Sequence, residues 1–180
     1  MADIEITPLR RSLTTRAMLS EILIEVVAEG GSVSFMHPLK PAAANAYWDH
    51  ALAAATLDQR VVLGAWDGDV LAGTVTLLLD LPRNQPHRAE VAKLMTRPSH
   101  RGRGIATSLM EAVETVAAEL GRTLLVLDTA VDGGAASLYQ RLGFTLTGEI
   151  PDYALKPHGG LTGTLIFWKR IGGANPADVS

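Results

Sequence analysis

The chain contains no cysteine. Disulfides, thiolate nucleophiles and cysteine-based metal sites are therefore excluded, and a cytoplasmic protein is the expectation. Aromatic residues are few, at 5%, and charged residues make up only 19% of the 180 positions. No charge of one sign dominates. The net charge of −3 gives no general pull towards nucleic acid or an anionic membrane, so neither is expected as a partner. No apolar run is long enough to span a bilayer; Val70–Leu81 is interrupted by glycine and threonine. The opening MADIEITPLRR is acidic at its start and has no apolar stretch of the kind a signal peptide carries. The five histidines (His37, His50, His87, His100, His158) show no metal-ligand spacing, and no metal is expected.

What is present is a large apolar fraction, 47%, enough for one sizeable core. A single domain over residues 1–171 is expected, with a disordered tail over 172–180. Ile4–Thr7 alternates like a short strand. Ser12 or Thr14 can cap a helix running to Ala28, which Gly30-Gly31 ends. Ala42–Leu57 reads as a second helix. Arg60–Trp66 and Val70–Leu79 form a hairpin about Asp67-Gly68-Asp69, followed by a strand over Ala89–Thr96. Gly104–Leu120 is a long amphipathic helix, Thr123–Asp128 a compact apolar strand, and Ala135–Leu142 a short helix stopped by Gly143. Thr145–Ile150 and Leu161–Trp168 complete the strands. Trp66, Tyr153 and Trp168 read as core or sheet-face aromatics. The strand-helix-strand unit in the middle predicts a parallel pairing there, with antiparallel neighbours, in a mixed α/β (α+β) fold.

The richest segment is Ala89–Met110, AEVAKLMTRPSHRGRGIATSLM. A strand leads into a basic, glycine-rich turn at which a helix begins. Amide groups at a helix start lack partners within the helix, and the helix dipole favours negative charge there, so this is a site for a pyrophosphate. Gly102 and Gly104 permit close approach of a ligand, and Arg101 and Arg103 add positive charge. A dinucleotide fingerprint fails because Thr107 stands where the third glycine belongs, and no Gly-Lys-Ser/Thr triplet follows to make a phosphate loop.

Arg101-Gly102-Arg103-Gly104-Ile105-Ala106 resembles the R/Q-x-x-G-x-G/A signature of the GNAT N-acetyltransferases. Tyr139-Gln140-Arg141-Leu142-Gly143-Phe144 resembles that family's second acetyl-CoA segment. The likeness spans roughly Ile4 to Arg170. It implies a mixed sheet of about seven strands, helices on both faces and a splayed pair of central parallel strands. It also implies acetyl-CoA as co-substrate, held by Arg101–Ala106 at its pyrophosphate and by Leu94, Met95 and Thr96 along its pantetheine arm. A backbone N–H near Met95 is then the donor to the developing oxyanion, and Tyr139 the proton donor to the departing thiolate. Within the family, Gly30–Val33, Arg88–Val91, Lys93–Met95 and Leu127–Thr129 are similar to tabtoxin-resistance acetyltransferases, which makes a small toxin or antibiotic amine the expected acceptor.

An alkyl amine is mostly protonated near neutrality, so a general base is needed. Glu90 and Asp128 are the two candidates, for catalysis and for binding the amine. Each has a plainer reading: Glu90 can pair with Arg88 or Lys93, and Asp128 can hold the 129–134 loop through side-chain turns. Tyr139 can equally be a packing residue one turn from Ala135 and Gly143. Phe35 and His37 lie where the family often places acceptor-contacting loops, with Trp48 and Asp49 following on the second helix. Two other activities remain beside small-molecule acetylation by direct attack in a ternary complex. One is acetylation of a protein lysine or N-terminus, which needs an open groove; the other is non-catalytic acyl-CoA binding. Relatives also imply a homodimer through the exposed strand near Leu161–Trp168.

Overall fold

The computed structural model describes residues 4–172, so all of the expected tail beyond Gly172 lies outside the described residues. The elements follow in the order β1 (Ile4–Pro8), α1 (Leu13–Ala28), α2 (Pro41–Ala55), β2 (Arg60–Asp67), β3 (Val70–Leu78), β4 (Arg88–Thr96), α3 (Ile105–Glu119), β5 (Leu124–Ala130), α4 (Ala136–Arg141), β6 (Thr145–Leu155) and β7 (Leu161–Arg170). Ser12 caps α1, its hydroxyl accepting from the Thr15 amide at 3.0 Å. Pro41 opens α2, where a missing N–H costs nothing.

One seven-stranded sheet runs in the order β1-β2-β3-β4-β5-β7-β6. Every neighbouring pair is antiparallel except β4 and β5. Those two are paired only through Arg88–Leu124, Ala89–Leu125 and Glu90–Val126. Beyond that rung they diverge, and β4 runs on to Thr96 and β5 to Ala130. The expected splayed parallel pair is thus present.

Helices cover both faces. Leu63, Val75, Leu77, Ala89, Val91, Leu125 and Leu127 pack with α3 and α4, whereas Val62, Leu71 and Met95 pack with α1 and α2. On β4 this alternation is interrupted. Thr76 faces Ala92 and Thr74 faces Met95, so Lys93 and Leu94 together oppose Val75. The extra residue is a β-bulge, with Lys93 in the left-handed region at φ 53°. Ala89 and Val91 therefore point to one core and Met95 to the other, although the same parity joins them.

The expectations are corrected at β6 and at Trp48. Strand β6 does not stop at Ile150 but continues to Leu155, with register breaks against β7 on the way. Of the two readings of Tyr153, core or sheet face, the second holds: it stands 56% exposed on this strand. Both follow from β6 being an edge strand exposed almost throughout, which gives its sequence no apolar alternation to mark its length. Trp48, placed beside the acceptor loop by sequence, is completely buried between α1 and α2.

Candidate active site

The divergence of β4 and β5 opens a cleft of about 750 Å³. Its floor is Val91–Thr96 of β4 and Asp128–Ala130 of β5. One wall is the loop 29–34 after α1, and the other is 153–155 with 162–164 of β6 and β7. Arg101, Ala106 and Tyr139 also line it. Past Glu90, the side of β4 that would pair with β5 carries unpaired amides and carbonyls along Leu94, Met95 and Thr96, available to an extended, amide-containing ligand.

At one end of the cleft, α3 begins at Gly104, which has φ 79° and offers no side-chain cap. Gly102 is also left-handed, at φ 75°, and nothing lies within 4 Å of where a Cβ would stand on either glycine. The first amides of α3, at Ile105 and Ala106, have no hydrogen-bond acceptor among the described residues, while the Ile105 side chain is buried. The three arginines of this turn differ in their engagement. Arg97 is tied to Glu21 and Glu25 of α1 and donates to the Leu71 carbonyl at 2.8 Å. Arg103 donates to Asp67 at 2.7 Å, and that hydrogen bond holds the Asp67 carboxyl below its usual range. Arg101 has no ion-pair partner among the described residues and is the one of the three that lines the cleft.

The expected acids part company. Leu125 and Leu127 face the α3–α4 core, so Val126 and Asp128 face the other way. Glu90, level with Val126 on the last paired rung, shares that face with Asp128. Asp128 lines the cleft and accepts from the Thr164 hydroxyl at 3.0 Å, a partner that no motif would have revealed. Glu90 is instead held by Arg88 at 2.7 Å and is not among the residues lining the cleft. Tyr139 belongs to the α3–α4 core, packed on Phe144 and Phe167 at centroid distances of 6.0 and 5.7 Å. Its hydroxyl makes no hydrogen bond among the described residues. Burial, with Asp128 adding to it, pushes the phenol up to about 12.

Phe35 and His37 do not line the cleft. Phe35 packs edge-on against Tyr47, at 5.3 Å. His37 ties the chain that follows one wall to the β6–β7 turn beyond the other: its amide donates to the Pro157 carbonyl at 2.9 Å, and its ring lies 4.5 Å from that of His158. His158 in turn is 3.0 Å from the Ala28 carbonyl at the end of α1. Sequence gave no sign of this bridge, because its partners are some 120 residues apart. Lys93, Ser34 and Tyr153 are cleft residues that motif reasoning passed over. Among the described residues no group of three or more histidines and acids could hold a metal ion, and no helix is long and apolar enough to cross a membrane.

Residues 31–144 match the acetyltransferase (GNAT) family. N-alpha-acetyltransferase 30 of Schizosaccharomyces pombe is 41% identical over 81 residues, 44% of this chain and 54% of that protein. Human N-acetyltransferase 8B is 38% identical over 81 residues, 44% of this chain and 36% of that protein. The chain thus aligns with about half, or less, of the length of these curated relatives. The fold of yncA from Salmonella typhimurium, solved with acetyl-CoA, superposes with a TM-score of 0.77 at 17% identity, covering 97% of this chain and 99% of that one. With the splayed strands, the uncapped helix start and the matched segment in agreement, the chain belongs to the GNAT acetyltransferase family.

Proposed function

We propose that this protein is an acetyl-CoA-dependent N-acetyltransferase that acetylates the primary amine of a small molecule within a ternary complex. The observation that carries the choice of a small acceptor is the bridge from His37 to Pro157 and His158. It spans from the chain after one wall of the cleft to the turn beyond the other, where a protein substrate would need an open groove.

The residues present fit acetyl-CoA. The free amides at Gly102–Ala106, with Arg101 beside them, suit a pyrophosphate, and the unpaired edge of Leu94–Thr96 suits the amides of a pantetheine arm. When bound, acetyl-CoA supplies an acetyl group activated as a thioester. A backbone N–H near Met95 stabilises the acyl oxygen as charge develops on it. Asp128 receives the amine and takes its proton, directly or through a water, while Thr164 fixes the carboxylate. Tyr139, neutral across the physiological range, holds the proton that the departing sulfur requires. Asp128 and Tyr139 stand on opposite faces of the sheet and meet only through the gap. Glu90, clasped by Arg88, supports the acceptor face from outside the lining.

Thiol release from acetyl-CoA, measured over a panel of small amines that includes tabtoxin-like toxins and amino-containing antibiotics, tests this reading. A turnover above background for some small amine is the expected result; thiol release with none of them refutes it. Asp128→Asn should abolish most of the turnover and Glu90→Gln a smaller part. A second reading, N-terminal acetylation of proteins, is favoured by the 41% identity to N-alpha-acetyltransferase 30. It predicts that short peptides outperform every small amine. A non-catalytic acyl-CoA-binding module would bind coenzyme A with no response to Asp128→Asn or Tyr139→Phe. A cytoplasmic location and pairing of two chains accompany the main proposal, but the strand expected to carry the pairing, Leu161–Trp168, is no edge: it lies in β7 between β5 and β6, which leaves β6 as the free edge on that side.

A further inference from the structure

Lys93 occupies an unusual place. As the bulge residue of β4 it follows Ala92 onto the same face of the sheet. Thr76, opposite Ala92, is opposite Val62 on its other side, and Val62 packs under α1 and α2. The Lys93 ammonium reaches that side too, 3.2 Å from the Ser34 hydroxyl and 5.5 Å from the centre of the Tyr47 ring. Without the extra residue, alternation would have sent it towards α3. The bulge thus delivers a lysine to the face that carries Asp128.

That ammonium is half-buried, and among the described residues no carboxylate lies within ion-pair distance of it. Burial holds it below the ordinary lysine range; Asp128 opposes that effect and Arg60 adds to it. Arg60 stands on the same face, two residues before Val62. It also has no carboxylate partner among the described residues, and its Nε is buried without a hydrogen bond. Lys93 and Ser34 therefore line the cleft with Arg60 and Tyr47 behind them, and among the described residues neither cation has an ion-pair partner. Removing charges from water without a partner is costly, and a ligand anion offsets that cost. Opposite them stands Asp128, which forms no ion pair with Lys93 although it is close enough to influence it.

We infer that Lys93, hydrogen-bonded to Ser34 and backed by Arg60, is a carboxylate-binding residue of the acceptor site, and that the acceptor is a zwitterion of the amino-acid type. Its amine is directed to Asp128 and its carboxylate to Lys93. This inference rests on the acetyltransferase reading above. A charge-assisted contact of this kind is worth about a tenfold to hundredfold preference.

The test is kcat/KM for a series of α-amino acids, each beside its α-amide and its decarboxylated amine. Wild-type protein should prefer the free carboxylate by about tenfold or more. Lys93→Gln should erase that preference by raising KM for the acid, leaving the amide and the KM for acetyl-CoA little changed. Lys93→Arg should retain much of it, which guards against a fold defect at a position with positive φ. Equal turnover of acid and amide by the wild type, or an equal loss for both in Lys93→Gln, overturns the inference while leaving the acetyltransferase reading intact. Thiol release from no amine at all overturns both.

Discussion

Tyr139 keeps its proton more tightly than an ordinary tyrosine, and this has consequences for both rate and stability. Its phenol, pushed to about 12 by burial and by Asp128, stays neutral wherever the enzyme would work. No alkaline loss of kcat should therefore arise from it below that pH. Tyr139→Phe should lower kcat by about a hundredfold while the KM for acetyl-CoA moves by less than about twofold, as steady-state kinetics would show. The stability effect has a definite sign. Below pH 10.0, the ordinary tyrosine value, folded and unfolded chains both hold the proton, and pH has no leverage through this group. Between there and about 12 only the unfolded chain releases it, so stability falls as pH rises through that window. Denaturant unfolding at stepped pH should show a slope in wild type that Tyr139→Phe reduces. At this scale the sequence is half legible. Arg101, Gly102, Gly104 and Tyr139 announce themselves by motif. That Arg103 is engaged by Asp67, Glu90 by Arg88 and Asp128 by Thr164 depends on partners brought together only by folding.

The start of α3 and the β3–β4 ladder carry the element-scale predictions. Gly104 combines a φ of 79° with open space before it, so a branched side chain there both strains the backbone and stands in the path of a phosphate. Gly104→Val should weaken coenzyme A binding by about tenfold or more in a calorimetric titration, since one or two charge-assisted contacts are lost. Gly73 serves packing instead. A Cβ there would meet the Met95 carbonyl oxygen at 2.8 Å and Ile105 Cγ2 at 3.0 Å, so this glycine is what lets α3 lie against β3 and β4. Gly73→Ala should cost about 1–3 kcal/mol in chemical denaturation, as overpacking does. Helices and central strands are readable because apolar periodicity and glycine stops mark them. The bulge at Lys93-Leu94 is not, since AEVAKLMT alternates acceptably in either phase and only the pairing with β3 selects one. The far half of β6 escapes for the opposite reason: an exposed edge imposes no pattern.

For the whole molecule, the fold class is within reach because two short motifs sit in the right order among correctly spaced elements, and a solved structure only 17% identical shares the architecture. A ligand that binds only the folded chain stabilises it by mass action. At about a hundred times its dissociation constant, coenzyme A should add about 2.7 kcal/mol, raising the thermal midpoint by about 5–10 °C for a domain of this size. Arg101→Ala should diminish that rise without shifting the midpoint of the unliganded protein, because Arg101 has no ion-pair partner among the described residues to lose. The early end of the β4–β5 ladder has one more consequence. With the carboxylate on one side of the sheet and the phenol on the other, the two groups reach a single cleft only because the ladder stops at Glu90 and Val126. A ladder that ran on to Leu94 would zip β4 to β5 and seal the sheet between Asp128 and Tyr139, so this unpaired seam is also what lets the two faces communicate.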